Sequence, residues 1–262
     1  MLSKLAHLRA ALKFAVFILG TLALVPFQLV YMLVVWRPRR QSPIVRAWFV
    51  FVRELLQIKV TLIDRKNLSR RQKIFLGNHI SYLDIIVLGA AFDCFFVAKS
   101  DVASWPVFGF LSKIGGTIFI SRQRTQIKNQ IPLLKKHIER RKSLFLFPEG
   151  TTSNGRRVLP FKSSLLNVLP LLHKKPVIQP ISLAYTHING RHMATQEDYD
   201  TAAWYGDMTL APHLWNVFKQ QSLHATIYVH PKLGFYEVSD IKRLTAEIQE
   251  KVSEGFAKIS VD

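Results

Sequence analysis

From Val60 to the C-terminus, short apolar runs rich in β-branched and aromatic residues alternate with longer stretches of helical period. The runs are Val60–Ile63, Lys73–Gly77, Phe95–Lys99, Gly116–Ser121, Ser143–Phe147, Val177–Leu183 and Ala225–His230. Most are apolar on successive residues rather than alternate ones, as in strands buried on both faces. The stretches Tyr82–Phe92, Pro106–Ile114, Arg124–Arg141, Ser163–His173 and Ser239–Ile259 predict helices. Strands that alternate with helices predict an α/β domain with a mixed, largely parallel sheet flanked by helices. Thr186 to Gln221 is polar and without a clear period, and reads as an irregular insertion or substrate-facing loop.

The N-terminal part is of a different kind. Phe14 to Trp36 contains no charged residue. As a helix this run extends roughly 34 Å, enough to cross a hydrocarbon core. Basic residues flank both ends, so the positive-inside rule gives no orientation. Pro26 interrupts the run and predicts a bend, leaving a half-inserted helix as an alternative to a spanning one. Ile44 to Ile58 is aromatic but carries Arg46, Arg53 and Glu54, which suits a helix lying in a membrane interface. These features predict membrane-anchoring helices over residues 1–58 and a catalytic domain over 59–262.

The chain has 36 Lys and Arg against 17 Asp and Glu, a net charge of +19. Such an excess predicts a polyanionic partner. Clusters of Lys and Arg flank the apolar segments, which points to anionic lipids. Nucleic acid is a distant alternative, because the basic residues are spread along the chain and no recognition motif is present. The one cysteine, Cys94, lies in an apolar stretch and reads as a small buried hydrophobe.

Asn78-His79-Ile80-Ser81-Tyr82-Leu83-Asp84 follows directly on a predicted strand. Residues five apart on a helix are displaced by about 140°, so His79 and Asp84 meet only if His79 precedes the helix and Asp84 lies in its first turns. Asn78 and Ser81 suit such a boundary. A carboxylate on one ring nitrogen fixes the tautomer and leaves the other nitrogen as a base for a hydroxyl proton. Gly116 to Arg122 ends a predicted strand on a guanidinium, the natural partner of phosphate or carboxylate. Phe147-Pro148-Glu149-Gly150-Thr151 follows another strand with small residues where backbone N–H groups can approach an anion. Val177-Ile178-Gln179-Pro180-Ile181 puts a proline in an apolar strand and predicts an edge or strand end. Lys99 ends a further strand. The histidine pairs His187/His192 and His224/His230 read as surface or loop residues, with no metal site. No Gly-x-Ser-x-Gly elbow is present, which speaks against a serine hydrolase.

These blocks, in this order, resemble the glycerophospholipid acyltransferase family, in particular its bacterial 1-acyl-sn-glycerol-3-phosphate acyltransferases. The likeness covers Asn78 to Leu183; Gln179 departs from it, standing where apolar residues are common. The resemblance implies that His79 is the general base and Asp84 its orienting carboxylate. It implies direct attack of the acceptor hydroxyl on an acyl thioester, with no acyl-enzyme intermediate. Arg122 is expected to bind the acceptor phosphate, Glu149, Gly150 and Thr151 to shape that site, and Lys99 to add positive charge. No metal or other cofactor is expected, and acyl-coenzyme A or acyl carrier protein serves as co-substrate. The expected reaction forms phosphatidic acid at the cytoplasmic face of a bacterial inner membrane, with membrane lipids and a lysophospholipid as partners and no nucleic acid. Lyso-ornithine lipid or another lysolipid is the alternative acceptor. The stretch Ala203 to Met208, with Ala211 to Leu214, resembles enzymes of both kinds, and Asp207 would suit an ammonium group.

Overall fold

The computed structural model describes residues 2–35, 38–121, 124–173, 176–233 and 240–260. Two helices lead: α1 (Leu2–Val34) and α2 (Pro43–Leu55). The central part then alternates β1 (Ile58–Ile63), β2 (Lys73–Gly77), α3 (Leu83–Ala91), β3 (Phe95–Lys99), α4 (Phe108–Ile114), β4 (Ile118–Ile120), α5 (Arg124–Glu139) and β5 (Leu144–Leu146). The chain closes with β6 (Val177–Ile188), β7 (Arg191–His192), α6 (Gln196–Ala202), α7 (Leu210–Lys219), β8 (Leu223–Val229) and α8 (Ile241–Ser260).

The strands form one sheet in the order β1-β8-β6-β2-β5-β3-β4, with β7 attached to β6. β6, β2, β5, β3 and β4 run parallel, and the direction reverses where β8 joins β6. The expected mixed, largely parallel sheet is therefore present. Its parallel block is buried on both faces, which is why β2 and β3 read as continuous apolar runs. One face carries α1, α2 and α3; the other carries α5 and α8.

Packing on the first face depends on two close approaches. Phe49 and Phe51 of α2 seat over Gly89 of α3 and Gly20 of α1, where a Cβ would collide with the rings. α1 is long and apolar enough to cross a membrane. Its buried side carries Ala10, Phe17, Thr21 and Gln28, while Leu8, Leu12, Leu19, Leu22 and Phe27 are exposed. Arg9 and Lys13 donate to the backbone carbonyls of Lys219 and Gln220 at the end of α7, at 2.9 and 3.0 Å. Those carbonyls lack partners within their own helix and carry the negative end of its dipole.

Pro26 lies inside α1, which continues through it to Val34. Other expectations need correction. Ser163–His173 forms only a 3₁₀ turn, Leu166–Leu171, because Pro170 sits within it and has no N–H to extend a ladder. Thr186–Gln221 is not an irregular insertion. β6 runs on to Ile188 and turns through Asn189 and Gly190, both at positive φ, into β7. α6 follows behind a capping box of Thr195 and Asp198, and then α7. Pro180 stands in a central strand, not at an edge. It is tolerated there because it sits where pairing with β8 runs out, and its carbonyl accepts from His230 N–H at 3.2 Å.

Candidate active site

The C-terminal ends of β2, β5 and β3 open at one end of the sheet, where segments that follow parallel strands gather. Past Gly77, Asn78 takes over from the β2 ladder with its side chain. Its amide donates to Leu183 O at 2.8 Å and accepts from Leu183 N–H at 2.9 Å. This two-way bond fixes the chain just before His79.

Asp84 lies in the first turn of α3 and is fully buried. Its Oδ2 accepts from the backbone N–H groups of Ile80 at 2.7 Å and Ser81 at 3.0 Å, as a carboxylate does at a helix start. The same oxygen stands 2.7 Å from His79 Nδ1, and Oδ1 accepts from Tyr185 O–H at 2.9 Å. A buried carboxylate requires such partners, and four donors satisfy this one. Because Nδ1–H points at Asp84, the imidazole lone pair lies on Nε2. The His79 ring stacks on Phe147 at 3.9 Å between centroids and 16° between planes, leaving the side chain 20% exposed.

The Phe147–Ser153 segment is tied to the His79 backbone by two hydrogen bonds. His79 N–H donates to Glu149 Oε1 at 3.1 Å, and His79 O accepts from Ser153 N–H at 2.8 Å. Gly150 adopts φ +69, the left-handed region where a side chain is strained. Glu149 is buried, and its Oε2 has no hydrogen-bond partner among the described residues. Burial pushes its carboxyl up to about 8, with the nearby Asp84 adding to the rise and the N–H groups of His79 and Leu159 opposing it.

That shift has a measurable consequence. Between about pH 4.5 and 8 the folded protein holds a proton on Glu149 that the unfolded chain has released. The stability this contributes is complete below the unfolded value and is lost as pH rises through the folded one, at up to about 1.4 kcal/mol per pH unit. Glu149→Gln removes the slope, so its melting temperature is expected to fall less than that of the wild type between these limits. Parallel melting profiles would show that the carboxyl is not held in this buried state.

The structure thus brings together His79, Asp84 and Glu149. Gly150 and Thr151 complete the adjoining turn, with Thr151 exposed on its outer side. Lys99 ends β3 at the same end of the sheet, half-buried and in register with Ile120 of β4. Arg122 lies outside the described residues. Gln179, the departure from the family pattern, is fully buried and bonded through both ends of its amide, to Ser69 N–H and His230 O.

Two site residues were not anticipated from the sequence. Tyr185 holds Asp84 from 101 residues away, on the far half of β6, and no local pattern marks it. Lys162 donates its N–H to Pro148 O at 2.9 Å, and its ammonium lies 3.5 Å from where a Cβ on Gly150 would stand. The stretch from Ala203 to Met208 also reaches the site, with Trp204 N–H donating to Ile80 O at 3.0 Å. Tyr82 O–H and His213 Nδ1, 2.9 Å apart, link α3 to α7.

The other histidines need one correction. His230 is buried, not superficial, and its Nε2 stands 2.8 Å from Ser182 Oγ. His187, His192 and His224 cluster on the strands, and no group among the described residues has the geometry to hold a metal ion. Cys94 is buried, which raises its thiol pKa and leaves it unsuited to act as a nucleophile.

Comparison with known proteins agrees with this architecture. A family model described as Acyltransferase matches residues 58–184. The lyso-ornithine lipid O-acyltransferase of Rhizobium meliloti (strain 1021) is 34% identical over 251 residues, covering 93% of this chain and 84% of the relative. The 1-acyl-sn-glycerol-3-phosphate acyltransferase of Neisseria gonorrhoeae is 28% identical over 189 residues, covering 71% of this chain and 66% of the relative. The crystal structure of the 1-acyl-sn-glycerophosphate (LPA) acyltransferase PlsC from Thermotoga maritima shares the fold. Its TM-score is 0.66 at 18% identity, with 100% of this chain and 99% of that one covered.

Proposed function

The chain belongs to the acyltransferase family that includes lyso-ornithine lipid and 1-acyl-sn-glycerol-3-phosphate acyltransferases, and on that premise we propose that His79 is the general base for acyl transfer from a thioester to a lysolipid hydroxyl. The observation that carries this reading is the 2.7 Å bond from His79 Nδ1 to buried Asp84, which leaves the Nε2 lone pair as proton acceptor.

His79 Nε2 takes the hydroxyl proton as the acceptor oxygen attacks the thioester carbonyl carbon. Asp84 stabilises the imidazolium that forms. The tetrahedral species then collapses with rupture of the C–S bond, and the leaving thiolate recovers the proton from Nε2–H. An ester and a free thiol result, and the protein forms no covalent bond. The Phe147 stack and the Glu149 bond to the His79 backbone hold the ring for both proton transfers.

For the acceptor, lyso-ornithine lipid takes precedence over the lysophosphatidate that the sequence blocks favour. The relative bearing that name covers more of this chain at higher identity than the lysophosphatidate enzyme of Neisseria. Lysophosphatidate remains the second reading, with Arg122 as its phosphate ligand. The exposed apolar side of α1 and the basic residues beside it support work at an anionic membrane surface, here assigned to the cytoplasmic face, with residues 1–58 as the anchor.

The test offers purified protein in detergent micelles an acyl thioester and either acceptor. Ester formation on lyso-ornithine lipid well above that on lysophosphatidate is the expected result. The reverse selectivity, together with a KM for lysophosphatidate that rises in Arg122→Ala, would install the second reading.

A further inference from the structure

Arg156, Arg157 and Lys162, we propose, form a docking rim for the phosphate groups of the acyl donor, a phosphopantetheine thioester. The proposal rests on the acyl-transfer reading above and names the binding site of that reaction's second substrate.

The three cations border the turn that holds His79. Ser153 is bonded to His79 O, and Gly155 packs against the same loop, its Cβ position 3.4 Å from Ile80 Cγ2. Arg156 follows at once, its guanidinium 5.6 Å from the centre of the Tyr199 ring. Lys162 returns to the turn, with its N–H on Pro148 O and its ammonium over Gly150. All three side chains are exposed, and none forms an ion pair among the described residues. Exposed cations on one short segment, without ion-pair partners, attract a multivalent anion. Guanidinium and ammonium groups at a site mouth are the usual phosphate ligands.

Position decides between donor and acceptor. The exposed apolar residues of α1, with Val107 and Phe110 at α4, lie on the face shared with α2 and α3; Gln28 of α1 bonds Ile114 O of α4 at 2.6 Å. A lysolipid drawn from a bilayer arrives there. From Arg156, over the Tyr199 ring of α6, the segment crosses through Val158 to Phe161. Phe161 N–H donates to Gln249 of α8 at 2.8 Å, and its ring packs into the core beneath α5 and α8. The rim therefore runs across the sheet end, from Tyr199 of α6 to the side of α8, where a soluble carrier delivers its thioester. The pantetheine arm separates phosphate from thioester, so these cations need not touch His79.

The triple variant Arg156→Gln/Arg157→Gln/Lys162→Gln tests the rim, because its substitutions are exposed. Each protein is assayed with one lysolipid and three donors: acyl-coenzyme A, acyl carrier protein charged with the same acyl group, and acyl-pantetheine, which has no phosphate. The kcat/KM ratio of acyl-coenzyme A to acyl-pantetheine is expected to fall about ten-fold in the variant, through the donor KM. A parallel fall with acyl carrier protein would identify the phosphodiester common to both carriers; a fall confined to coenzyme A would identify its nucleotide phosphates. The control Arg65→Gln/Lys66→Gln/Arg70→Gln removes equal charge at the opposite end of the sheet and is expected to keep the wild-type ratio.

An unchanged ratio in the rim variant overturns the proposal. So does a rise in KM confined to the lysolipid, or a loss of binding to phosphatidylglycerol vesicles with the donor ratio intact. A wild-type protein that acylates no lysolipid would instead overturn the functional reading. Calorimetric titration with coenzyme A then tests the rim alone, with weaker binding by the triple variant expected and equal binding contradictory.

Discussion

The His79→Ala protein is expected to turn over about 10²–10⁴-fold more slowly than the wild type at saturating donor and acceptor, while remaining folded. The loss follows from geometry. Asp84 Oδ2 is held by two backbone N–H groups and stays in place without the ring, but alanine leaves no imidazole nitrogen to take the hydroxyl proton. The fold survives because the hydrogen bonds that join this loop to the Phe147–Ser153 segment use the His79 backbone, which alanine retains. Circular dichroism and the thermal midpoint in detergent check the fold, and initial rates of ester formation check the chemistry. A variant within about three-fold of the wild type would move the base to another residue.

Asp84→Asn is expected to reduce both activity and stability. The native carboxylate accepts from His79, Ile80, Ser81 and Tyr185 at once. An asparagine has one acceptor oxygen, so its amide N–H₂ must face a donor on one side or the other. Turning the oxygen toward the backbone N–H groups keeps the start of α3 but removes the charge that stabilises the imidazolium. Turning it toward Tyr185 leaves Ile80 and Ser81 opposed by donors. Either arrangement weakens charge-assisted bonds, at a cost of about 1.5–3 kcal/mol in stability, and turnover falls by a factor comparable to that for His79. The two residues act as one unit, so the double variant is expected to be little slower than either single one. Fully multiplicative losses would show that Asp84 does not act through His79.

The features legible in the sequence were those set by neighbouring residues. Lys73–Gly77 and Phe95–Lys99 read as strands with their true bounds, because burial on both faces leaves an unbroken apolar run flanked by polar residues. His79 and Asp84 were legible as a pair because a strand end, a capping residue and a helix start lie within a few positions. Tyr185 was not, since its bond to Asp84 depends on β6 crossing beside β2. α1 begins well before the uncharged run suggests, because Arg9 and Lys13 reach the carbonyls of α7 instead of marking a boundary. Thr186 to Gln221 looked irregular because its strand end carries His187 and its helices are short. Its order comes from pairing with β8 and from the Thr195 cap. Lys162 carries no sequence signal, because it meets the Phe147–Thr151 turn only through the fold. The choice of acceptor was hidden for a different reason: relatives named for either acceptor match this chain, and Arg122, the residue expected to bind an acceptor phosphate, lies outside the described residues.

The claim at the centre of this account is that His79 activates the acceptor hydroxyl for direct attack on the thioester. The most direct test follows thiol release, ester formation and the intact mass of the protein together, with and without lysolipid. The account predicts one thiol released per ester formed, thiol release that depends on the acceptor, and an unmodified protein mass throughout. An acylated protein that forms before acceptor is added, and is then consumed by it, would contradict the account and replace the general base with a covalent nucleophile.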